Sequence, residues 1–315
     1  MKKNILTLLL FLFTTSLFLN ATELNKKRIL YVNSYHTGLN WSDGIKKGIK
    51  DTIRNSNLSI DLKIIEMDTK RNQSEIFKKN AALKAKKIIE EFKPDIVITS
   101  DDTTAKYLIV PYFYNSSIPF VFCGINGSAK RYGFPTKNVT GMNEVQMIPN
   151  VISMLKKYAK GDKIGYLKGD SFSSKEEVAF FEFQLNKKIT KKLVTSVQQW
   201  KDGFLKLQKD VDILLIGNGE AIPKWKESPN EILNFVKNNT LIPTASWDVT
   251  TNQISVLTFA SKAEEQGIWA TKTAIDILKG KNISKINIVN NKKATIYVNA
   301  TLAYFLSMLI TLGII

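Results

Sequence analysis

An α/β chain of two lobes, each a mostly parallel sheet flanked by helices with a ligand cleft between them, is what the sequence predicts. Three observations carry that expectation. Short apolar runs alternate with segments of helical period along the whole chain. The runs scarcely alternate in polarity, as expected of strands buried on both faces. Several end abruptly in polar or glycine-bearing loops, and in open α/β sheets ligands bind at such carboxyl ends.

The first twenty-one residues stand apart. Lys2 and Lys3 precede an uncharged run over residues 5–19, and Ala21 offers a small residue for cleavage, so 1–21 reads as an export signal. An uncleaved anchor is the other reading, although the run falls short of the ~20 apolar residues that a span needs. No cysteine follows the run, which disfavours lipid-anchored export.

The remaining elements follow in order. Residues 29–32 form a first strand, and the loop after it holds the only histidine, His36. Trp41, Ile45, Ile49 and Ile53 then mark one face of a helix that Asn40 or Ser42 can cap. Residues 60–65 read as a second strand. Phe77, Ala81, Ala85, Ile88 and Phe92 lie on one face of the next helix, which Pro94 closes. The strand at 96–99 runs into Ser100-Asp101-Asp102-Thr103-Thr104, a dense set of helix caps. Another strand, 118–122, opens into Cys123-Gly124-Ile125-Asn126-Gly127, where glycine permits a tight turn. Residues 139–142 look like a crossing between lobes.

The second half repeats this grammar. Strands are expected at 164–167, 193–197, 211–216, 241–245 and 254–259. Overlapping capping boxes, Ser173 with Glu176 and Ser174 with Glu177, precede a helix, and Ser228-Pro229-Asn230-Glu231 and Ser261 with Glu264 precede two more. The expected division is lobe 1 at 22–142 with 248–280 returning toward it, and lobe 2 at 143–247. Residues 281–315 form a C-terminal segment crossing the hinge and ending in an apolar helix.

Composition narrows the function. A single cysteine, Cys123, excludes an internal disulfide and reads as a small buried hydrophobe. The formal charge of +17 invites a nucleic-acid reading. The lysines are scattered along helical segments with glutamates between some of them, however, which describes a solvated surface better than a binding stripe. One histidine and one cysteine supply too few ligands for a zinc centre. No Gly-x-Ser-x-Gly elbow, Walker loop or dinucleotide fingerprint occurs, so no catalytic role is assigned. No cofactor is expected.

Binding is the better reading. Asp101 or Asp102 holds a ligand's ammonium group, or else simply caps a helix. The helix N-termini at Ser42, Thr103 and Ser173 suit a carboxylate. Tyr35, Trp41 and Trp247 are the aromatics placed to touch a ligand, with Trp41 also claimed by an apolar helical stripe. His36 is either a cleft wall or a structural histidine.

Asn33-Ser34-Tyr35-His36 with Trp41, Ser100-Asp101, Val139-Thr140-Gly141, and Glu265-Gln266-Gly267 followed by Ile277-Leu278-Lys279-Gly280 resemble the periplasmic substrate-binding proteins of ABC transporters. Some members of that family bind tryptophan or phenylalanine, and related domains serve as extracellular sensors of histidine kinases. The resemblance implies a type I periplasmic-binding fold that closes on a small molecule by hinge motion. By position it places Tyr35, His36, Asp101, Thr103 and Asn126 on the first lobe's side. Asp170, Ser171, Asn218 and Glu220 lie opposite, with Trp247 and Asp248 near the hinge.

The expected function is therefore a periplasmic component that delivers a small organic solute, an aromatic or other amino acid, to an inner-membrane ABC permease. The second reading is an extracellular sensing domain that signals to a kinase. The tail departs from the family, since residues 295–315 carry no charge. A helix docked on the fold and a membrane tether are the two readings of that run.

Overall fold

The computed structural model describes residues 26–305, so the expected export signal at 1–21 and residues 306–315 lie outside the described residues. The chain divides into two compact units. Residues up to Glu144 together with Ala263–Asn291 make the first, and Val145–Lys262 with the residues from Lys292 onward make the second.

In the first unit, β1 (Lys27–Asn33) pairs in parallel with β2 (Ile60–Glu66) on one side and β3 (Ile96–Ser100) on the other. The sheet continues in parallel through β4 (Phe120–Asn126) and β5 (Val139–Glu144) to the short β11 (Val289–Asn290). The unalternating runs have a direct cause. Leu30, Val32, Val97, Phe120 and Phe122 enter one core, with Ala82, Ala85 and Ile89 of the helix α2 (Glu75–Phe92). Ile29, Tyr31, Ile96, Ile98, Val121 and Cys123 enter the other, with Ile45 and Ile49 of α1 (Asn40–Arg54). Helices cover both faces, so the middles of β1, β3 and β4 are apolar throughout, and polar residues gather at their ends.

α1 packs against α8 (Ala263–Leu278) at very short range, and glycines are the reason. A Cβ on Gly48 would sit 2.4 Å from the Glu264 carbonyl oxygen, and one on Gly267 would sit 2.1 Å from that of Ile45. The Glu265-Gln266-Gly267 run is thus a packing motif as well as a family mark. Gln266 is fully buried; its Oε1 accepts from the Gly124 amide at 2.9 Å and its Nε2 donates to the Asn143 carbonyl at 3.3 Å.

The second unit orders its strands β12-β10-β9-β8-β6-β7. β6 (Ile164–Gly169), β7 (Thr190–Val194), β8 (Ile213–Ile216), β9 (Thr244–Ser246) and β10 (Leu257–Ser261) are parallel, and β12 (Ala294–Val298) runs antiparallel to β10. One core holds Tyr166, Leu167, Phe181, Trp200, Phe204 and the whole of β8.

Several local expectations are corrected. Neither Asn40 nor Ser42 caps α1; its N-cap is Leu39, and the Ser42 hydroxyl donates instead to Asn33 Oδ1 at 3.1 Å. The helix α5 (Phe172–Leu185) is capped by Ser171, whose Oγ accepts from the Ser174 amide at 3.1 Å, rather than by Ser173 or Ser174. Ser196 caps α6 (Val197–Asp210), so β7 ends at Val194, before the residues expected to close it. β10 belongs to the second sheet, and the return to the first unit begins at Ala263 rather than at Asp248. The tail is built in as well. β12 is a paired strand, and Leu302 and Ala303 of the following helix are buried in the second core. Residues 294–298 are thus strand-paired and Leu302 and Ala303 packed on the second core. Among the described residues no helix is long and apolar enough to cross a membrane.

Gly267→Ala tests the helix contact. Alanine favours a helix interior by about 1 kcal/mol over glycine. A methyl 2.1 Å from a backbone oxygen forces the two helices apart, and overpacking of this kind costs about 1–3 kcal/mol or more. The clash should win, so the variant should melt several degrees below the wild type in a thermal-unfolding measurement; an unchanged or higher Tm would contradict the packing account.

Candidate functional site

The carboxyl ends of β1, β3 and β4 gather a polar network in the first unit. Its centre is Ser100, the last residue of β3. Its hydroxyl accepts from the Tyr31 hydroxyl at 3.1 Å and from the Ser34 amide at 3.3 Å, while its carbonyl accepts from the hydroxyls of Ser34 and Thr104. Asn33 at the end of β1 accepts from the Tyr35 amide and from Ser42 through the same Oδ1, leaving its buried Nδ2 without a partner. The loop after β1 is also held by backbone bonds from Met67, Asp68 and Thr69 to the carbonyls of Asn33, Tyr35 and Ser34. The family-like Asn-Ser-Tyr-His run is thereby fixed from two sides.

Asp101 is the outstanding group. It opens the four-residue α3 (Asp101–Thr104), with φ at +66°, a left-handed conformation that costs a non-glycine residue energy unless its surroundings impose it. The side chain is 2% exposed. Trp41 Nε1 donates to Oδ1 at 2.9 Å, whereas Oδ2 is buried with no hydrogen-bond partner. Burial pushes the Asp101 carboxyl up to about 7; the nearby Asp102 charge adds to the rise, and Trp41, the Ser100 hydroxyl and the Lys70 charge oppose it. The reading of Asp101 as a helix cap is corrected: the N-cap of α3 is Ser100, and no side chain caps it.

Asp102 has a different role. Its Oδ2 accepts from the backbone and side-chain N–H groups of Asn126 at 3.2 and 2.8 Å, and its Oδ1 accepts from Arg131 at 2.7 Å and from the Tyr132 hydroxyl at 2.8 Å. Both oxygens are spent on organising the loop after β4. Asn126, exposed, is its partner. Thr103 lies half-buried beside it.

Tyr35 is half-buried, with the Lys70 ammonium 5.5 Å from its ring centroid. Burial raises its hydroxyl well above the ordinary range, and the negative charge of Asp101 contributes next, so it stays a neutral donor. His36 Nδ1 lies 3.3 Å from Asp68 Oδ1, while Asp68 is held low chiefly by its hydrogen bond from Arg71. Trp41 packs on the α1 core, as its place in the apolar stripe suggests, and its indole N–H is committed to Asp101. Cys123 is fully buried, as expected, and burial pushes its thiol up.

In the second unit the named residues split. Asp170 pairs with exposed Lys175 at 2.8 Å. Asn218 Nδ2 donates to Asp248 Oδ2 at 2.7 Å, and Asp248 Oδ1 accepts from the amide and hydroxyl of Thr250. Glu220 is exposed. Trp247 is stacked with Tyr166 at 5.9 Å and edge-on to Phe181 at 4.9 Å, and its Nε1 donates to Glu177 Oε2 at 3.1 Å. Sequence reasoning missed the centre of this cluster. Lys168 Nζ lies 2.8 Å from Glu177 Oε1, both side chains largely buried, and Tyr166 donates to the same oxygen at 2.7 Å. A lysine closing an otherwise apolar strand was the available signal. Such a pair is costly to break, because removing one partner strands a buried charge.

The chain matches the family model for ABC transporter substrate-binding proteins over residues 36–312. No curated protein matches it by sequence. Among solved structures it is similar to a substrate-binding protein with adhesive properties from Clostridium difficile in its ligand-free, open form, with TM-score 0.69 and 16% identity over 90% of this chain and 95% of that one. It is also similar to the ABC domain in complex with L-Trp from Streptococcus pneumonia (TM-score 0.55, 13% identity, 90% and 95% covered). A periplasmic ribose ABC transporter protein from Conexibacter woesei gives TM-score 0.54 at 14% identity, with the same coverage. The shared architecture is the type I periplasmic-binding fold.

The Asp101 carboxyl gives a pH signature. Its folded value, about 7, lies above the ordinary 3.8. Its contribution to stability is thus fully present below about pH 4 and is lost as pH rises toward 7. Asp101→Asn removes that titration, and asparagine tolerates the left-handed backbone. The stability of the variant relative to wild type should rise between pH 4 and 7, by up to about 4 kcal/mol, as read by urea unfolding at several pH values. A difference that stays flat would refute the burial account.

Proposed function

This chain belongs to the ABC transporter substrate-binding protein family, and we propose that it is an exported periplasmic component that captures an aromatic or other amino acid for an inner-membrane ABC permease. Membership itself carries a small-molecule ligand and a membrane permease as partner. The amino-acid class and the periplasmic location are the further steps.

The observation that supports the solute class is the meeting of Tyr35, Trp41 and Asp101 at adjacent strand ends, an aromatic pair beside a buried carboxyl. Aromatic faces suit apolar or aromatic side chains, and a few placed polar groups fix orientation. On this reading Tyr35, His36 and Thr103 contact the solute from the first unit, with Asn126 at the loop that Asp102 organises. Asn218, Trp247 and Asp248 do so from the second, and Asp170, Ser171 and Glu220 flank them. The L-Trp carried by the Streptococcus protein puts aromatic amino acids first among the probes.

The test is a thermal-shift screen of the purified chain against amino acids, nucleosides, sugars and organic acids. A solute at one hundred times its Kd stabilises the fold by about 2.7 kcal/mol, and an aromatic amino acid should be among those that do. Tyr35→Ala should then weaken that binding about tenfold, in line with loss of an aromatic contact of about 1.5 kcal/mol. A solute bound equally well by the variant would remove Tyr35 from the site, and a screen in which sugars alone stabilise the chain would overturn the amino-acid reading.

A further inference from the structure

Asp101 presents an oxygen that the protein itself leaves unanswered. Oδ2 is buried and without a hydrogen-bond partner, in a side chain 2% exposed, while Oδ1 is already held by Trp41. Buried polar atoms are almost always satisfied, and an exception calls for a missing partner. The neighbouring carboxylate does not share this state, since both oxygens of Asp102 are taken by Asn126, Arg131 and Tyr132. Two adjacent aspartates thus divide into one that organises the loop and one that waits.

The turn at Gly124 borders the occupied side of the carboxyl. Gly124 sits at φ +69°, and a Cβ there would lie 3.2 Å from Asp101 Oδ1 and 3.4 Å from the Trp41 ring. Its amide donates to Gln266 of α8 and not to the carboxylate. No cation of the protein is ion-paired with Asp101 among the described residues; Lys70, the cation that influences it, lies over the Tyr35 ring.

Resting on the solute-binding function proposed above, we infer that the solute carries an ammonium group that Asp101 Oδ2 receives, and that capture expels the Asp101 proton to solvent. Without solute the carboxyl is divided between its two forms near pH 7 and neutral below it, since desolvation favours its protonated form. An ammonium at hydrogen-bond distance reverses that balance: the O–H proton leaves to the buffer, the carboxylate charge stays, and the ammonium keeps its three protons. The groups that face this carboxyl are the Trp41 indole from α1, the Ser100 hydroxyl from β3, Tyr31 and Tyr35 from β1 and its loop, Cys123 from β4, Asp102 beside it and Lys70 from the loop after β2. The tyrosines and the thiol are pushed up by burial and stay neutral through this range, so Asp101 is the group that titrates on capture.

Matched probes test this on the full chain. L-Tryptophan is compared with indole-3-propionate, L-phenylalanine with 3-phenylpropionate and L-leucine with 4-methylpentanoate, each pair differing only in the ammonium group; D-ribose and D-xylose complete the set. At pH 8 an ammonium-bearing member should raise the melting temperature while its partner does not. For that probe, calorimetric titration of wild type should show affinity falling about tenfold from pH 8 to pH 6. Its heat at pH 6.5 should differ between phosphate and imidazole buffers, reporting proton release. Asp101→Asn, its fold checked by circular dichroism, should weaken the same probe at least tenfold. Binding of a des-amino acid or a sugar with equal affinity in wild type and Asp101→Asn would overturn the inference while leaving solute binding intact. So would an ammonium-bearing probe whose affinity and heat ignore pH and buffer, a comparison that needs no variant. If no probe of either kind binds, the proposed amino-acid function falls and the inference falls with it.

Discussion

Burying the Asp101 carboxyl at the end of a parallel strand is the constraint from which much of the first unit follows. A desolvated carboxyl needs a donor, and Trp41 supplies it from the first turn of α1. Trp41 reaches that point because α1 is drawn tightly against α8, and that approach is permitted by Gly48 and Gly267. The same helix α8 carries Gln266, which holds the Gly124 amide and so the left-handed turn that packs closely on the Asp101–Trp41 pair. Helix packing and carboxyl environment are one arrangement, and a change in either is felt by the other.

The division of labour between the two aspartates has a physical logic. Asp102 is exposed enough to be solvated and is satisfied by four donors, which fixes the loop after β4. Asp101 is dry and half satisfied. Networks completed within the protein rigidify, and incomplete ones mark places where something else is expected. The second unit shows the completed kind in Tyr166, Lys168, Glu177 and Trp247, where a buried ion pair is closed by hydrogen bonds from two aromatic residues.

Much of this was legible in the sequence. The parallel sheets could be read from residues 29–32 and 96–99 because burial on both faces demands unbroken apolar runs. The loop from Asn33 to Trp41 and the Ser100-Asp101 corner stood out because chemistry-bearing residues follow such runs directly. Caps were read less well. Serine and aspartate clusters offer several residues of similar capping power, and tertiary demands chose among them: Ser42 went to Asn33 and Asp101 to Trp41. The antiparallel β12 was invisible, since an uncharged run reads alike as a strand, a docked helix or a span until its partner strand is known. Lys168 and Glu177 were missed because their pairing spans a strand and a helix, a relation that no local pattern encodes.

The claim at the centre of this account is that a solute completes Asp101, and the most direct test is a crystal structure of the chain with its solute bound. The account predicts a solute nitrogen about 2.7–3.0 Å from Asp101 Oδ2, with the Trp41 hydrogen bond to Oδ1 retained. A solute seated elsewhere, or one that leaves Asp101 Oδ2 as unpartnered as before, would contradict it.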